Sequence, residues 1–240
     1  MTDAEPLLEV EGLTVGYGKA DVVHAVSFRI GAGEFVAFLG RNGAGKSTTL
    51  HAISGLIPKR SGRVRFAGQD ITKASPREIV QAGLVQVLEG HRVFKALSVE
   101  DNLLIGTYAR APRGDRTKLG AMYALFPELA ERRLQTASRL SGGQQQILAV
   151  AQGIIAEPRL LILDEPSGGL APMVIDRILD VAKSLARDGV AILLVEQLVE
   201  KALAHADRCY LMATGRIVHE GLAKDLAGSD ILHSAYLGGV

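Results

Sequence analysis

Tryptophan is missing from this chain, cysteine occurs once, and aromatic residues make up only 5% of its 240 positions. The lone Cys209 excludes an intrachain disulfide and fits a reducing compartment. It sits inside the apolar stretch Cys209–Met212, which reads as a buried structural thiol and not as a nucleophile. An excess of one charge is missing too. Lysine and arginine number 27 against 26 acidic residues, for a net charge of +1. With no basic stripe either, the chain is not read as a nucleic-acid binder. Long apolar runs are absent: Val190–Val195 is among the longest, far short of the roughly 20 residues that cross a bilayer. Met1–Glu5 is acidic and has no apolar core, so no signal peptide is expected and the chain is expected to be soluble by itself. The length accommodates one α/β domain with a smaller inserted lobe.

Glycine, by contrast, is plentiful and concentrated where it matters. Gly40–Ser47 reads Gly-Arg-Asn-Gly-Ala-Gly-Lys-Ser, directly after the apolar run Phe35–Leu39 and before a helix expected over Ser47–Ile53. This is a phosphate-binding P-loop in its expected setting, since a buried strand delivers the glycines to a helix N-terminus. Gly40, Gly43 and Gly45 let the backbone curl so that successive N–H groups face phosphate oxygens, and the helix start adds partial positive charge. Asn42, Ala44 and Thr48 complete the cradle. Lys46 is expected to reach the β- and γ-phosphates, and the Ser47 hydroxyl to hold Mg²⁺. Such an octet arises by chance in roughly one chain of this length in a hundred. The chain is therefore read as binding a nucleoside triphosphate.

Further apolar runs end in polar groups suited to phosphate chemistry. Leu84–Val87 leads to Glu89, Leu160–Leu163 to Asp164 and Glu165, and Val190–Val195 to Glu196 and Gln197. Unbroken apolar runs predict strands covered on both faces, as in a parallel sheet, whose ligands gather at the strands' carboxyl ends. An amphipathic helix is expected between Leu163 and Val190, with Val174, Ile178, Val181 and Leu185 inward and Asp188-Gly189 as its stop. Leu7–Val10, Leu13–Tyr17, Val22–Val26 and Phe28–Ile30, punctuated by glycines, predict antiparallel hairpins. From about Glu100 to Glu157 the pattern is helical, with a loop at Pro112–Arg116. The expected fold is α/β: a RecA-like P-loop NTPase core with an antiparallel β subdomain and an inserted helical subdomain. Core and β lobe are assigned to about 1–88 and 159–240, and the helical insertion to about 89–158.

Leu160–Glu165 looks like a Walker B strand, in which Asp164 orients Mg²⁺ and Glu165 polarises the attacking water. Leu140-Ser-Gly-Gly-Gln144 places Ser141 as the N-cap of a helix continuing through Ile155. Lying between a P-loop and Asp164-Glu165, this pentad resembles the signature of the ATPase subunits of ABC transporters, and the resemblance covers essentially the whole chain. It implies a head-to-tail dimer in which Ser141, Gly142, Gly143 and Gln144 of one subunit face the ATP held by the P-loop of the other. It also implies that Tyr17 stacks on adenine, with ATP and Mg²⁺ as ligands.

Three departures narrow the resemblance. Glu89 stands where most of the family places the Q-loop glutamine, Gln197 where most have the switch histidine, and Ala171 where the D-loop aspartate is usual. Glu89 becomes a candidate metal ligand, and Gln197 a catalytic residue beside Lys46 and Glu165. With Ser98–Leu103 and the ending Ala235–Gly239, they are similar to the smaller ATPase subunit of branched-chain amino acid importers. Urea and short-amide importers share much of this pattern, and a soluble ABC ATPase of DNA repair or translation is a third reading. The importer resemblance implies a homologous, non-identical ATPase partner, integral membrane permease subunits and, indirectly, a solute-binding protein. It implies a peripheral position on the cytoplasmic face of the bacterial membrane. Coupling to the permease is expected near Glu89–Leu103, with Phe94, Leu97 and Val99 as apolar contacts. Gly168 and Gly153 depart even from this subfamily; Gly153, inside a helix, is expected to cost about 1 kcal/mol relative to alanine.

Overall fold

Alternating and unbroken apolar runs go to different sheets. A computed structural model describes residues 5–90, 92–109 and 114–226. Met1–Ala4, His91, Pro112, Arg113 and the ending Ala235–Gly239 lie outside the described residues.

The first strands, β1 (Leu8–Tyr17) and β2 (Ala20–Ile30), pair antiparallel in a four-stranded sheet ordered β2-β1-β4-β5, where β4 is Ser61–Phe66 and β5 Gln69–Asp70. The four short segments read from the sequence are thus two continuous strands. Their glycine interruptions are register shifts, not breaks, one of them between Val10 and Leu13. Gly12 sits there at φ 57°, and its N–H is satisfied by Ser27 Oγ at 2.8 Å. Charges face each other across this sheet, with Glu9 opposite both Arg29 and Arg65 and Glu11 opposite Arg63.

The second sheet is six-stranded and ordered β10-β9-β3-β8-β7-β6. Its strands are β3 (Phe35–Leu39), β6 (Leu84–Val87), β7 (Leu160–Asp164), β8 (Ala191–Glu196), β9 (Arg208–Ala213) and β10 (Arg216–Leu222). All neighbours run parallel except β9 and β10. Every residue of β3, β7 and β8 is buried, because each strand divides its side chains between two apolar clusters. Phe35, Ala37 and Leu39 join one and Val36 and Phe38 the other.

The second cluster contains α1 (Lys46–Ile53) and the β lobe, with α2 (Pro76–Ala82) at its edge. The first gathers α3 (Val99–Gly106), α4 (Leu119–Leu125), α5 (Pro127–Ala130), α6 (Gly142–Ile155), α7 (Pro172–Arg187), α8 (Val199–His205) and α9 (Ala223–Leu226). On α7, Ile175, Ile178, Leu179, Val181, Ala182 and Ala186 are buried, while Val174 and Leu185 lie at the stripe's margin. The helix stops at Asp188, and Gly189 follows at φ 94°. Cys209 is fully buried, and burial pushes its thiol up to about 11, so it stays protonated and unreactive.

Gly153 has a positive reason to be glycine. A Cβ there would lie 2.8 Å from Val87 Cγ2 and 3.2 Å from Leu161 Cδ1, so α6 rests on β6 and β7 at a distance that excludes a methyl group. The propensity lost in the helix is offset by close helix–sheet packing. Gly168 has open space, its nearest neighbour being Glu165 O at 3.8 Å, and nothing in the fold requires glycine there.

Candidate active site

β3 ends at the bottom of the P-loop, where Gly40 takes φ 155° and a Cβ would approach Met212 O to 2.4 Å. Gly43 (φ 78°) and Gly45 (φ 101°) adopt left-handed conformations that complete the curl. Gly45 caps α1 without any side-chain hydrogen bond, and no acidic residue occupies the helix's first turn. The first N–H groups of α1 are therefore left for an incoming anion. Lys46, only 4% exposed, folds back across the loop. Its ammonium donates to Gly40 O at 2.8 Å and Arg41 O at 3.2 Å, and lies 3.4 Å from Glu165 Oε1.

Behind the loop, the Ser47 hydroxyl donates to Asp164 Oδ1 at 2.9 Å. Gln86 Nε2 reaches Asp164 Oδ2 at 3.3 Å, and His51 Nε2 lies 3.7 Å from the same oxygen. Burial pushes the Asp164 carboxyl up from its ordinary value; Ser47 and His51 oppose the shift, whereas Glu165 and Glu89 add to it. A cation beside this carboxylate would reverse that balance. The donor set of a hydroxyl and a few carboxylates also suits Mg²⁺, a hard ion that takes few protein ligands and completes its shell with phosphate and water. Gln86 Oε1, buried beside Asp164, has no hydrogen-bond partner. Neither His51 nor Gln86 belongs to a motif in the sequence, although His51 stands four residues after Ser47, one helical turn on.

Glu165 follows β7 in a left-handed conformation, φ 47°, its N–H bound to Val195 O at 2.9 Å. One carboxylate oxygen faces Lys46 and the other accepts a hydrogen bond from Gln197 Nε2. A cavity of about 310 Å³ collects Asn42, Gly43, Gly45, Lys46, Ser47 and Thr48 with Glu89, Glu165 and Gln197. Gly40, Ala44 and the buried Asp164 support this cavity without lining it.

Ser141, Gly142, Gly143, Gln144 and Tyr17 do not line it either. Ser141 and Gln144 satisfy each other in a capping box: Gln144 N donates to Ser141 Oγ at 3.3 Å, and Ser141 N to Gln144 Oε1 at 3.1 Å. Tyr17 ends β1 with 55% of its surface exposed. Arg60 holds the following turn through Gly18 O at 2.7 Å and Asp21 Oδ1 at 2.6 Å, a support that sequence separation conceals.

The sequence pattern of the ABC transporter family matches residues 23–168. The high-affinity branched-chain amino acid transport ATP-binding protein BraG of Pseudomonas aeruginosa is 39% identical, over 97% of this chain and 100% of its own. The probable branched-chain amino acid transport ATP-binding protein LivF of Archaeoglobus fulgidus is 35% identical, over 92% of this chain and 94% of its own. A crystal structure of the ADP conformation of an ATP-binding cassette of an ABC transporter superposes with a TM-score of 0.86 at 25% identity, covering 98% of this chain and 100% of the other. The family match runs through the P-loop and Asp164-Glu165, the elements that build the cavity, and so the chain belongs to the ABC transporter family as an ATP-hydrolysing subunit.

Proposed function

We propose that this chain powers import of branched-chain amino acids from the cytoplasmic face of the membrane. It works beside a homologous, non-identical ATPase subunit and membrane permease subunits that receive solute from a binding protein. The observation that carries this reading is the end-to-end 39% identity to a branched-chain amino acid transport ATP-binding protein. The Glu89 and Gln197 departures, which resemble those of branched-chain amino acid importers, agree with it, and both residues line the cavity beside Lys46 and Glu165.

In this reading the triphosphate lies over the N–H groups opening α1. Lys46 exchanges its carbonyl and Glu165 contacts for the β- and γ-phosphates, a charge-assisted interaction. That exchange leaves the Glu165 carboxylate free to take a proton from water. As the water oxygen bonds to the γ-phosphorus, the bond to the bridging oxygen breaks and ADP and phosphate leave. Gln197 keeps Glu165 oriented and donates toward the γ-phosphate. Ser47, Asp164 and Glu89 would hold Mg²⁺. When bound, the ion neutralises phosphate charge that otherwise faces Asp164, Glu165 and Glu89.

Ser141–Gln144 serve the partner's nucleotide in a head-to-tail pair; Ser141 and Gly142 are exposed, Gly143 and Gln144 half-buried, and their place outside this chain's own cavity supports that assignment. Tyr17 has an exposed ring available to adenine. Coupling to the permease is assigned to the segment around Phe94 and Leu97, 54% and 37% exposed. Val99, expected beside them, is fully buried at the start of α3 and is withdrawn from that surface. Reconstituting the assembled complex and adding solute-loaded binding proteins tests the reading. Leucine-, isoleucine- or valine-loaded protein should stimulate ATP hydrolysis. Stimulation by urea- or amide-loaded protein alone would overturn the substrate assignment.

A further inference from the structure

Glu196 ends β8 behind the catalytic cavity and is 1% exposed. Its carboxylate is surrounded by hydrogen-bond donors. Ser167 N donates to Oε1 at 3.0 Å, and Ser167 Oγ to Oε2 at 2.7 Å. Gln197 N and Leu198 N also reach Oε2, at 3.0 and 3.4 Å. The site demands an acceptor on both oxygens, which a carboxylate supplies and an amide does not. A buried carboxylate left without these donors would be strongly destabilising, so the arrangement is maintained as a unit.

The donors come from two different loops. Ser167 lies two residues beyond Glu165, and Gln197 is the residue whose amide holds the Glu165 carboxylate. Glu165 itself has a left-handed backbone that a non-glycine residue keeps only where its surroundings impose it. Its N–H to Val195 O supplies one clamp, and the Glu196 carboxylate, joining the loops after β7 and β8, supplies a second.

We propose that Glu196 is a positioning residue for ATP hydrolysis: by binding Ser167 and the Gln197 backbone together, it sets the Gln197 amide against Glu165 without touching nucleotide. This rests on the reading of Glu165 as base and Gln197 as its partner. The consequence is a dependence of turnover on Glu196 that passes through Gln197.

Glu196→Gln keeps the side chain's shape, yet whichever way its amide turns, Ser167 N or Gln197 N faces an N–H group. In the purified, assembled complex at saturating Mg-ATP, kcat should fall about tenfold or more while KM for ATP stays within about twofold. In a Gln197→Ala background the same substitution should cost less than about twofold more, because the group it positions has gone. Ser167→Ala removes only the hydroxyl contact and serves if Glu196→Gln loses its thermal unfolding transition. It should lower kcat about threefold, and only while Gln197 is present. Full turnover in the variant tested, a loss confined to KM, or losses that multiply with that of Gln197→Ala would each overturn the proposal. Glu165→Gln separates the two readings. If it retains turnover, the base assignment fails; if it is inactive while Glu196→Gln is unimpaired, the Glu196 proposal fails alone.

Discussion

Helices α1 and α6 both start on glycine-rich runs, and they treat their first backbone N–H groups in opposite ways. Gly45 caps α1 with no side chain at all, in a left-handed conformation, and Lys46 occupies the first helical position. Ser141 caps α6 with a reciprocal hydrogen-bond pair to Gln144. Every helix opens with N–H groups that lack intrahelical partners. At α1 that deficit is left for a ligand to complete inside the cavity. At α6 the chain completes part of it from its own side chains, so an exposed helix start persists without ligand. The difference between a helix start that awaits an anion and one that caps itself is thus a matter of who supplies the acceptors.

The contrast breaks most completely at Lys46. Lys46→Ala should abolish hydrolysis and weaken ATP binding by about tenfold or more, since the buried cation assigned to the β- and γ-phosphates is lost. Turnover at the normal rate in that variant would remove the α1 side of the comparison. Glu165→Gln should slow hydrolysis by about 10²–10⁴-fold while ATP stays bound. Light scattering should then show dimers that persist with ATP and dissociate with ADP.

Ser141→Ala sharpens the comparison from the other side. Urea denaturation should show a loss of about 1 kcal/mol, the worth of a serine N-cap. ATP affinity of the separated subunit should be unchanged, because Ser141 lies outside its cavity. Weakened ATP binding there would mean that α6 serves its own nucleotide. A smaller effect comes from Asp164, whose carboxyl burial raises above its ordinary 3.8. Folding then takes up a proton between the unfolded and folded values. The metal-free chain should lose stability as pH rises across that window and level off above it. The difference in unfolding free energy from Asp164→Asn, measured against pH in chelator, should carry this slope; a flat difference would refute it. Least affected is Glu89→Gln, expected to keep maximal turnover and raise the Mg²⁺ needed for half-activity by roughly threefold. An unchanged Mg²⁺ titration would leave Glu89 a cavity wall only.

Much of this site was legible because its signals are local. The P-loop's glycines, Lys46 and Ser47 are contiguous, and the carboxylates Asp164 and Glu165 directly end an apolar run. The capping box at Ser141 and Gln144 is a spacing of three. Residues working across distance were not legible. Arg60 steadies the turn after Tyr17 from 42 positions beyond Gly18, and Gln86 meets Asp164 from 78 away. Glu196 reads in sequence as the polar end of a strand. Only the adjacency of β7 and β8 turns it into the acceptor shared by the loops that follow them.

The sequence by itself determined that a nucleotide cradle would form and which carboxylates would follow the buried strands, since strand, turn and helix start are decided by neighbouring residues. Tertiary structure alone decided three other matters. It showed that Gly153 is a contact surface for Val87 and Leu161, that Val99 is interior, and that Gln197 meets Glu165. The reason is physical. Which strands lie side by side, and how closely a helix settles on them, depends on packing the whole chain at once, and local propensity carries no record of it.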